Sequence, residues 1–190
     1  MKSLKYVAVG VAALAAQRVS ADVILQDAGQ FDRAIAAFDP IGQTFVAIDP
    51  VLSTIAFAFS DINPTSPNEP ITMTLYAGTG FSAPLHSVTQ TLPAVLPPPT
   101  APPQFIDFDF TGIATTVGAT YTVAVTVPSS FKVAVVYADS NQYAGGTYID
   151  VNGVNANSEL NFRIVGVPAP GAAALAVLAL GAGARRRRRA

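Results

Sequence analysis

The sequence predicts an all-β domain, an antiparallel β-sandwich of about nine strands, and three observations lead there. Apolar residues recur at every second position in segment after segment, turn-forming residues separate those segments at short intervals, and a single segment carries helical spacing. Two sheets packed face to face satisfy all three. An α/β arrangement would need helical patterns between successive strands.

At the N-terminus Lys2 and Lys5 precede an eleven-residue apolar run at 6–16, and Val19-Ser20-Ala21 supplies small residues for cleavage. This is the layout of a secretory signal peptide, a helix-forming segment at 1–21 cut after Ala21, and its apolar run is too short to span a bilayer. The mature chain then starts at Asp22 with a lead-in segment, residues 22–40. There Phe31, Ala34, Ile35 and Phe38 stand at i, i+3, i+4 and i+7, ending before Pro40; a short helix and a loop that tucks Phe31 and Phe38 inward both fit.

The predicted sandwich occupies residues 41–166. Ile55, Phe57 and Phe59 share one face, and Met73 and Leu75 alternate with Thr72, Thr74 and Tyr76. Ile106, Phe108 and Phe110 alternate with Asp107 and Asp109, which places the carboxylates on a wet face. Tyr121, Val123, Val125 and Val127 repeat the pattern, followed by Phe131, Val133, Val135 and Tyr137 and then Leu160, Phe162 and Ile164. Between them stand turn chemistries: Asn63-Pro64, Pro67-Asn68, Gly78-Thr79-Gly80, Val117-Gly118, Pro128-Ser129-Ser130, Gly145-Gly146 and Asn152-Gly153. Six prolines within residues 93–103 exclude a central strand there and suit a stiff crossing from one sheet to the other.

Charge and composition narrow the function. Residues 22–167 hold all 12 acids but only Arg33, Lys132 and Arg163 as cations, a net of −9. Such a surface repels phosphate backbones, so no nucleic-acid partner is expected. Zero cysteines exclude disulfides and thiolate metal sites. The one histidine, His86, lies in Leu85-His86-Ser87-Val88-Thr89, which reads as an edge or surface strand, and no nucleophile elbow accompanies it. Asp107 and Asp109 are spaced about 6.5–7 Å apart on a strand, as a glycosidase pair would be, but any solvent face gives the same spacing. Without a Trp to build a sugar platform, no catalytic residue is assigned.

The richest candidate segment is 137–157, with Tyr137, Asp139, Asn141, Gln142, Tyr143, Gly145, Gly146, Tyr148, Asp150, Asn152, Asn155 and Asn157. Three readings stay open. Asn, Asp and Gly form turns; Tyr137, Asp139, Asn141, Tyr143, Tyr148, Asp150 and Asn152 have the rings and polar groups that contact glycans; Asp139, Asn141, Asp150 and Asn152 carry hard oxygens suited to calcium, the one cofactor considered.

The chain ends on Val167, Pro168, Ala169, Pro170 and Gly171, an apolar run through residue 184, and Arg185, Arg186, Arg187, Arg188 and Arg189. A proline hinge, an uncharged run and a block of positive charge make residues 167–190 a transmembrane helix with a stop signal. The 14 residues at 171–184 reach only ~21 Å against roughly 30 Å of hydrocarbon, so a stable span needs snorkelling arginines or local thinning.

This tail resembles the PEP-CTERM sorting signal of exported bacterial proteins, in a Pro-Ala-Pro-Gly variant with Ala169 where the usual residue is Glu. The resemblance implies signal peptidase and export machinery as partners, an exosortase-type processing enzyme, transient residence in the inner membrane, and delivery to the cell surface or an extracellular polysaccharide matrix. The body carries Gln43-Thr44-Phe45, Thr74-Leu75-Tyr76-Ala77-Gly78, Ile106-Asp107-Phe108-Asp109-Phe110, Gly118-Ala119-Thr120-Tyr121-Thr122, Tyr143-Ala144-Gly145-Gly146 and Leu160-Asn161-Phe162-Arg163. Over roughly residues 41–165 it resembles jelly-roll β-sandwich modules of exported proteins, some similar to carbohydrate-binding modules. The expectation is a non-enzymatic surface or biofilm-matrix protein that contacts polysaccharide. A purely structural matrix component is the alternative, and a polysaccharide hydrolase the remote one.

Overall fold

The alternating segments become strands, and the strands form two antiparallel sheets around one apolar interior. The computed structural model describes residues 21–62, 70–98, 101–102, 104–128 and 133–168; the predicted signal segment through Ser20 and the tail from Ala169 lie outside them. So do Phe131 and the predicted turns Asn63-Pro64, Pro67-Asn68 and Ser129-Ser130. Among the described residues no helix is long and apolar enough to cross a membrane.

In chain order the strands are β1 (Val23–Gln26), β2 (Phe31–Ala34), β3 (Ile41–Val46), β4 (Val51–Asp61), β5 (Pro70–Ala77), β6 (Pro84–Thr91) and β7 (Phe105–Asp109). They continue with β8 (Thr120–Thr126), β9 (Val133–Ala138), β10 (Tyr148–Asp150), β11 (Gly153–Asn155), β12 (Glu159–Leu160) and β13 (Phe162–Val167). One sheet runs β1-β13-β4-β9-β12, with β2 added on β9 and β7 on β4; the other runs β11-β10-β3-β8-β5-β6. The described strands number 13 rather than about nine. The surplus comes from short strands such as β10, β11 and β12, of three, three and two residues, too short to display alternation.

The core takes its rings from both sheets: Phe45 and Tyr148 on one side, Phe57, Phe59, Phe108 and Phe162 on the other, all 0 % exposed. Phe59 meets Phe108 with centroids 6.2 Å apart, a tilted contact that fills the interior without a flat stack. The expectation of one wet face per strand fails for β4, where Ala56, Ala58 and Ser60 are as buried as Ile55, Phe57 and Phe59. β9 is likewise closed on both faces, by Val133 and Val135 and by Ala134, Val136 and Ala138.

The lead-in segment is part of the sheet. β1 pairs with β13 and β2 with β9, and the helix option at residues 31–38 gives way to a strand followed by one 3-10 turn, Ile35–Ala37. The physical reason is local against long-range. Eight residues cannot offset helix nucleation, whereas the open edge of β9 offers Phe31–Ala34 a ladder of backbone partners. The proline-rich stretch connects β6 in one sheet to β7 in the other, the crossing its composition predicts.

Register fixes the two ends of the molecule. Val23 lies opposite Val165 and Gln26 opposite Phe162, so the chain enters β1 and leaves β13 at the same end. Val167, predicted as the first residue of the tail, is the last residue of β13. At the other end, roughly 20 Å along the strands, Leu160 pairs with Tyr137 and Tyr137 with Phe31.

Candidate functional site

Most of the predicted glycan residues lie in the segment that joins β9 to β12, and the structure draws several of them inward. Tyr148 on β10 is 0 % exposed, and its hydroxyl donates to Asp150 Oδ2 at 2.7 Å. Burial pushes that phenol's pKa up. Asp150 Oδ1 accepts the Asn152 amide at 2.7 Å and so closes the β10–β11 turn, while its Oδ2 lies 3.9 Å from Arg33 Nη1. Both carboxylate oxygens are therefore engaged inside the protein.

Arg33 is the organising cation, and the sequence marks it only as a charge. Its guanidinium stands 4.4 Å from the Tyr137 ring centroid, 4.9 Å from Phe38 and 5.0 Å from Tyr148. Three rings from three segments thus hold one delocalised charge with Asp150 beside it, an arrangement available to the flat guanidinium.

Tyr143 is half-buried, edge-on to Phe162 at 5.4 Å, and its hydroxyl accepts the Val46 amide at 3.3 Å. Asn141 is exposed, but its side-chain amide donates to the Gly146 and Ala156 carbonyls at 3.2 and 3.3 Å. Asn155 Oδ1 accepts the Asn157 amide at 3.0 Å. These are the turn roles that such residues supply. Gly146 must be a glycine because a Cβ there would overlap the Thr44 carbonyl oxygen.

Glu159 underlies this segment and carries no mark in the sequence beyond a carboxylate set beside Leu160. It is 0 % exposed, and Oε2 accepts the Gln142 and Tyr143 amides at 2.7 and 2.8 Å. Burial pushes its pKa up while those two amides pull against the shift. One residue pair on, Asn161 clamps Gly29, accepting its amide at 2.7 Å and donating to its carbonyl at 3.3 Å. A Cβ at Gly29 would strike the Tyr137 backbone. The clamp fixes the bend between β1 and β2 and so places Phe31.

Phe31 then stands at the distal end, 51 % exposed, its ring tilted against Tyr137 with centroids 5.8 Å apart. Beside it is an open depression of about 170 Å³ lined by Ala28, Gln30, Phe31, Ala138, Asp139 and Ser140. Asp139, Ser140 and Gln30 are exposed, as are the flanking Asp27 and Asp32. Of the predicted residues, only Asp139 lines this depression, with Tyr137 behind Phe31; Asn141 follows just after Ser140. Its volume is below the roughly 300–1,000 Å³ of enclosed small-molecule pockets, so it suits one unit of a longer chain.

Of the predicted calcium set, Asn141 bonds to the Gly146 and Ala156 carbonyls. Asp139 is at the depression, Asp150 is bonded to Tyr148 and Asn152, and among the described residues no three His, Asp or Glu side chains gather. Asp107 is bound by Arg163 through both oxygens at 2.8 and 2.9 Å. Hydrogen bonds from Thr111 hold the Asp109 carboxyl below its ordinary pKa. His86 is exposed on β6, edge-on to Phe110 at 5.5 Å.

Comparison with protein-family models, with curated proteins and with solved structures found no match to this chain.

Proposed function

We propose that this chain is a non-enzymatic, exported cell-surface or extracellular-matrix protein whose jelly-roll-like sandwich contacts a neutral polysaccharide at the Phe31 depression. The observation that carries this reading is the Phe31 ring, half exposed and backed by Tyr137, next to the polar groups of Gln30, Asp139 and Ser140. A ring face packs on the apolar face of a sugar, and adjacent carboxylate, amide and hydroxyl groups accept and donate to its hydroxyls.

Charge selects the class of polymer. Asp139 lines the depression, exposed Asp27 and Asp32 stand beside its lining residues in the sequence, and among the described residues both cations are engaged, Arg33 with the rings and Asp150, Arg163 with Asp107. An anionic chain would meet repulsion there and a neutral one would not. The hydrolase alternative receives no support from Asp107, whose carboxylate is paired, or from Asp109, whose pKa moves away from that of a general acid. Export and sorting rest on the two terminal segments, with signal peptidase acting after Ala21 and an exosortase-type enzyme at the Pro168-Ala169-Pro170 hinge.

Co-sedimentation with insoluble neutral and acidic polysaccharides tests the reading. Retention on a neutral polymer, weakened by added soluble fragments of that polymer, is expected. Equal retention on acidic and neutral polymers would contradict the charge argument, and none on any polymer would favour a structural component without a ligand site.

A further inference from the structure

The end of the molecule opposite the depression carries a second unexplained feature. On the outer face of the seven-stranded sheet Val23 and Leu25 of β1 stand 53 % and 52 % exposed, and Val167 of β13 42 %. Register puts Val165 directly beside Val23, and after the irregularity at Val165/Gly166 it puts Val51 beside Val167. Val23, Val165, Val167 and Val51 form one aliphatic patch, with Leu25 at its margin beside Arg163. β1 lies at the end of the sheet order, so the patch is bounded by a strand edge on one side and by Thr54 and the Arg163–Asp107 ion pair on the other.

Both chain ends leave from this corner. Only Pro168, Ala169 and Pro170 separate Val167 from the apolar run at 171–184 in the sequence. We infer that this patch is a lipid-facing surface, seated on the headgroup and acyl boundary of a bilayer while the tail is inserted, an inference that rests on the membrane reading of residues 171–189. Patch area alone supports weak binding, since interfacial affinity scales with the apolar area buried. The tether changes that by holding the patch at high effective concentration above the surface. Depth is limited, because among the described residues no strand pairs with the outer edge of β1, and hydrocarbon would leave its backbone groups unsatisfied. The acidic remainder of the domain is repelled by anionic headgroups, which favours contact through this corner alone. The depression then faces away from the membrane.

The absence of cysteine from the sequence allows a direct test, because any introduced cysteine is the sole labelling site. The mature chain, residues 22–190, is prepared as Leu25→Cys and separately as Ser140→Cys, each bearing an environment-sensitive fluorophore, and mixed with vesicles of phosphatidylethanolamine and phosphatidylglycerol. Flotation with the vesicles, a blue shift at position 25 and none at position 140 are expected. Adding Val23→Asp and Val167→Asp to the Leu25→Cys chain should abolish the shift and leave flotation intact. Flotation without a shift at position 25 would overturn the docked corner and spare the inserted tail. Failure to float would overturn both. Equal shifts at the two positions would overturn the orientation, and a shift at 25 without vesicles would assign the patch to a second copy of the chain.

Discussion

The Phe31 depression and the interior around Tyr148, Asp150 and Glu159 use the same residue chemistry to opposite ends. Both bring aromatic rings beside carboxylates and amides. In the interior Tyr148 is fully covered, and the Asp150 oxygens and Glu159 Oε2 already have partners within the protein. At the depression one ring face and the Asp139, Ser140 and Gln30 side chains stand in solvent. Composition does not separate structure from recognition here; what separates them is whether the rings and polar groups are open to solvent.

That contrast breaks most visibly at Asp150. Asp150→Ala leaves the Tyr148 hydroxyl and the Asn152 amide without their acceptor and Arg33 without its counter-charge. A loss of about 3 kcal/mol in urea unfolding is expected, with polysaccharide retention unchanged in the folded fraction. Gly146→Ala comes next. Its Cβ meets the Thr44 carbonyl, a backbone atom with little room to yield, and about 2 kcal/mol of destabilisation should follow.

Glu159 sharpens the comparison through pH. Its pKa is raised in the fold, so the unfolded chain loses that proton first, and the contribution of this residue to stability falls as pH rises above the ordinary value of 4.5 through the raised one. Glu159→Gln retains an acceptor for the Gln142 and Tyr143 amides but removes the charge. Unfolding midpoints measured across that window should show the variant gaining on the wild type as pH rises; a constant difference would mean that the carboxyl does not titrate differently in the fold. The smallest stability effect belongs to Phe31→Ala, less than about 1 kcal/mol because half of that ring is already in water.

Much of the sheet structure is legible in the residues. Alternation in β13 and over most of β5 marks core and outer faces correctly, because strand side chains repeat every second position, whereas β8 alternates in sequence but buries Thr122 and Ala124 as fully as Val123 and Val125. β1 and β2 are not legible, since Val-Ile-Leu-Gln and Phe-Asp-Arg-Ala hold no clear period and owe their strand form to the edges of β13 and β9. The site was half legible. Tyr137 and Asp139 could be picked out by type, but Phe31 lies 106 positions before Tyr137 and is brought there by cross-strand register. Nor can spacing show that Tyr148 is buried, because Arg33 and Phe38, which surround it, come from a distant segment.

Equilibrium binding of the wild type, Phe31→Ala and Tyr148→Phe to one neutral polysaccharide, each with its unfolding midpoint, tests the division between the two regions most directly. Phe31→Ala should weaken binding about tenfold with nearly unchanged stability, and Tyr148→Phe should bind as the wild type while losing about 1 kcal/mol of stability. Wild-type affinity in Phe31→Ala, or a loss of binding confined to Tyr148→Phe, would contradict the assignment of recognition to the distal depression.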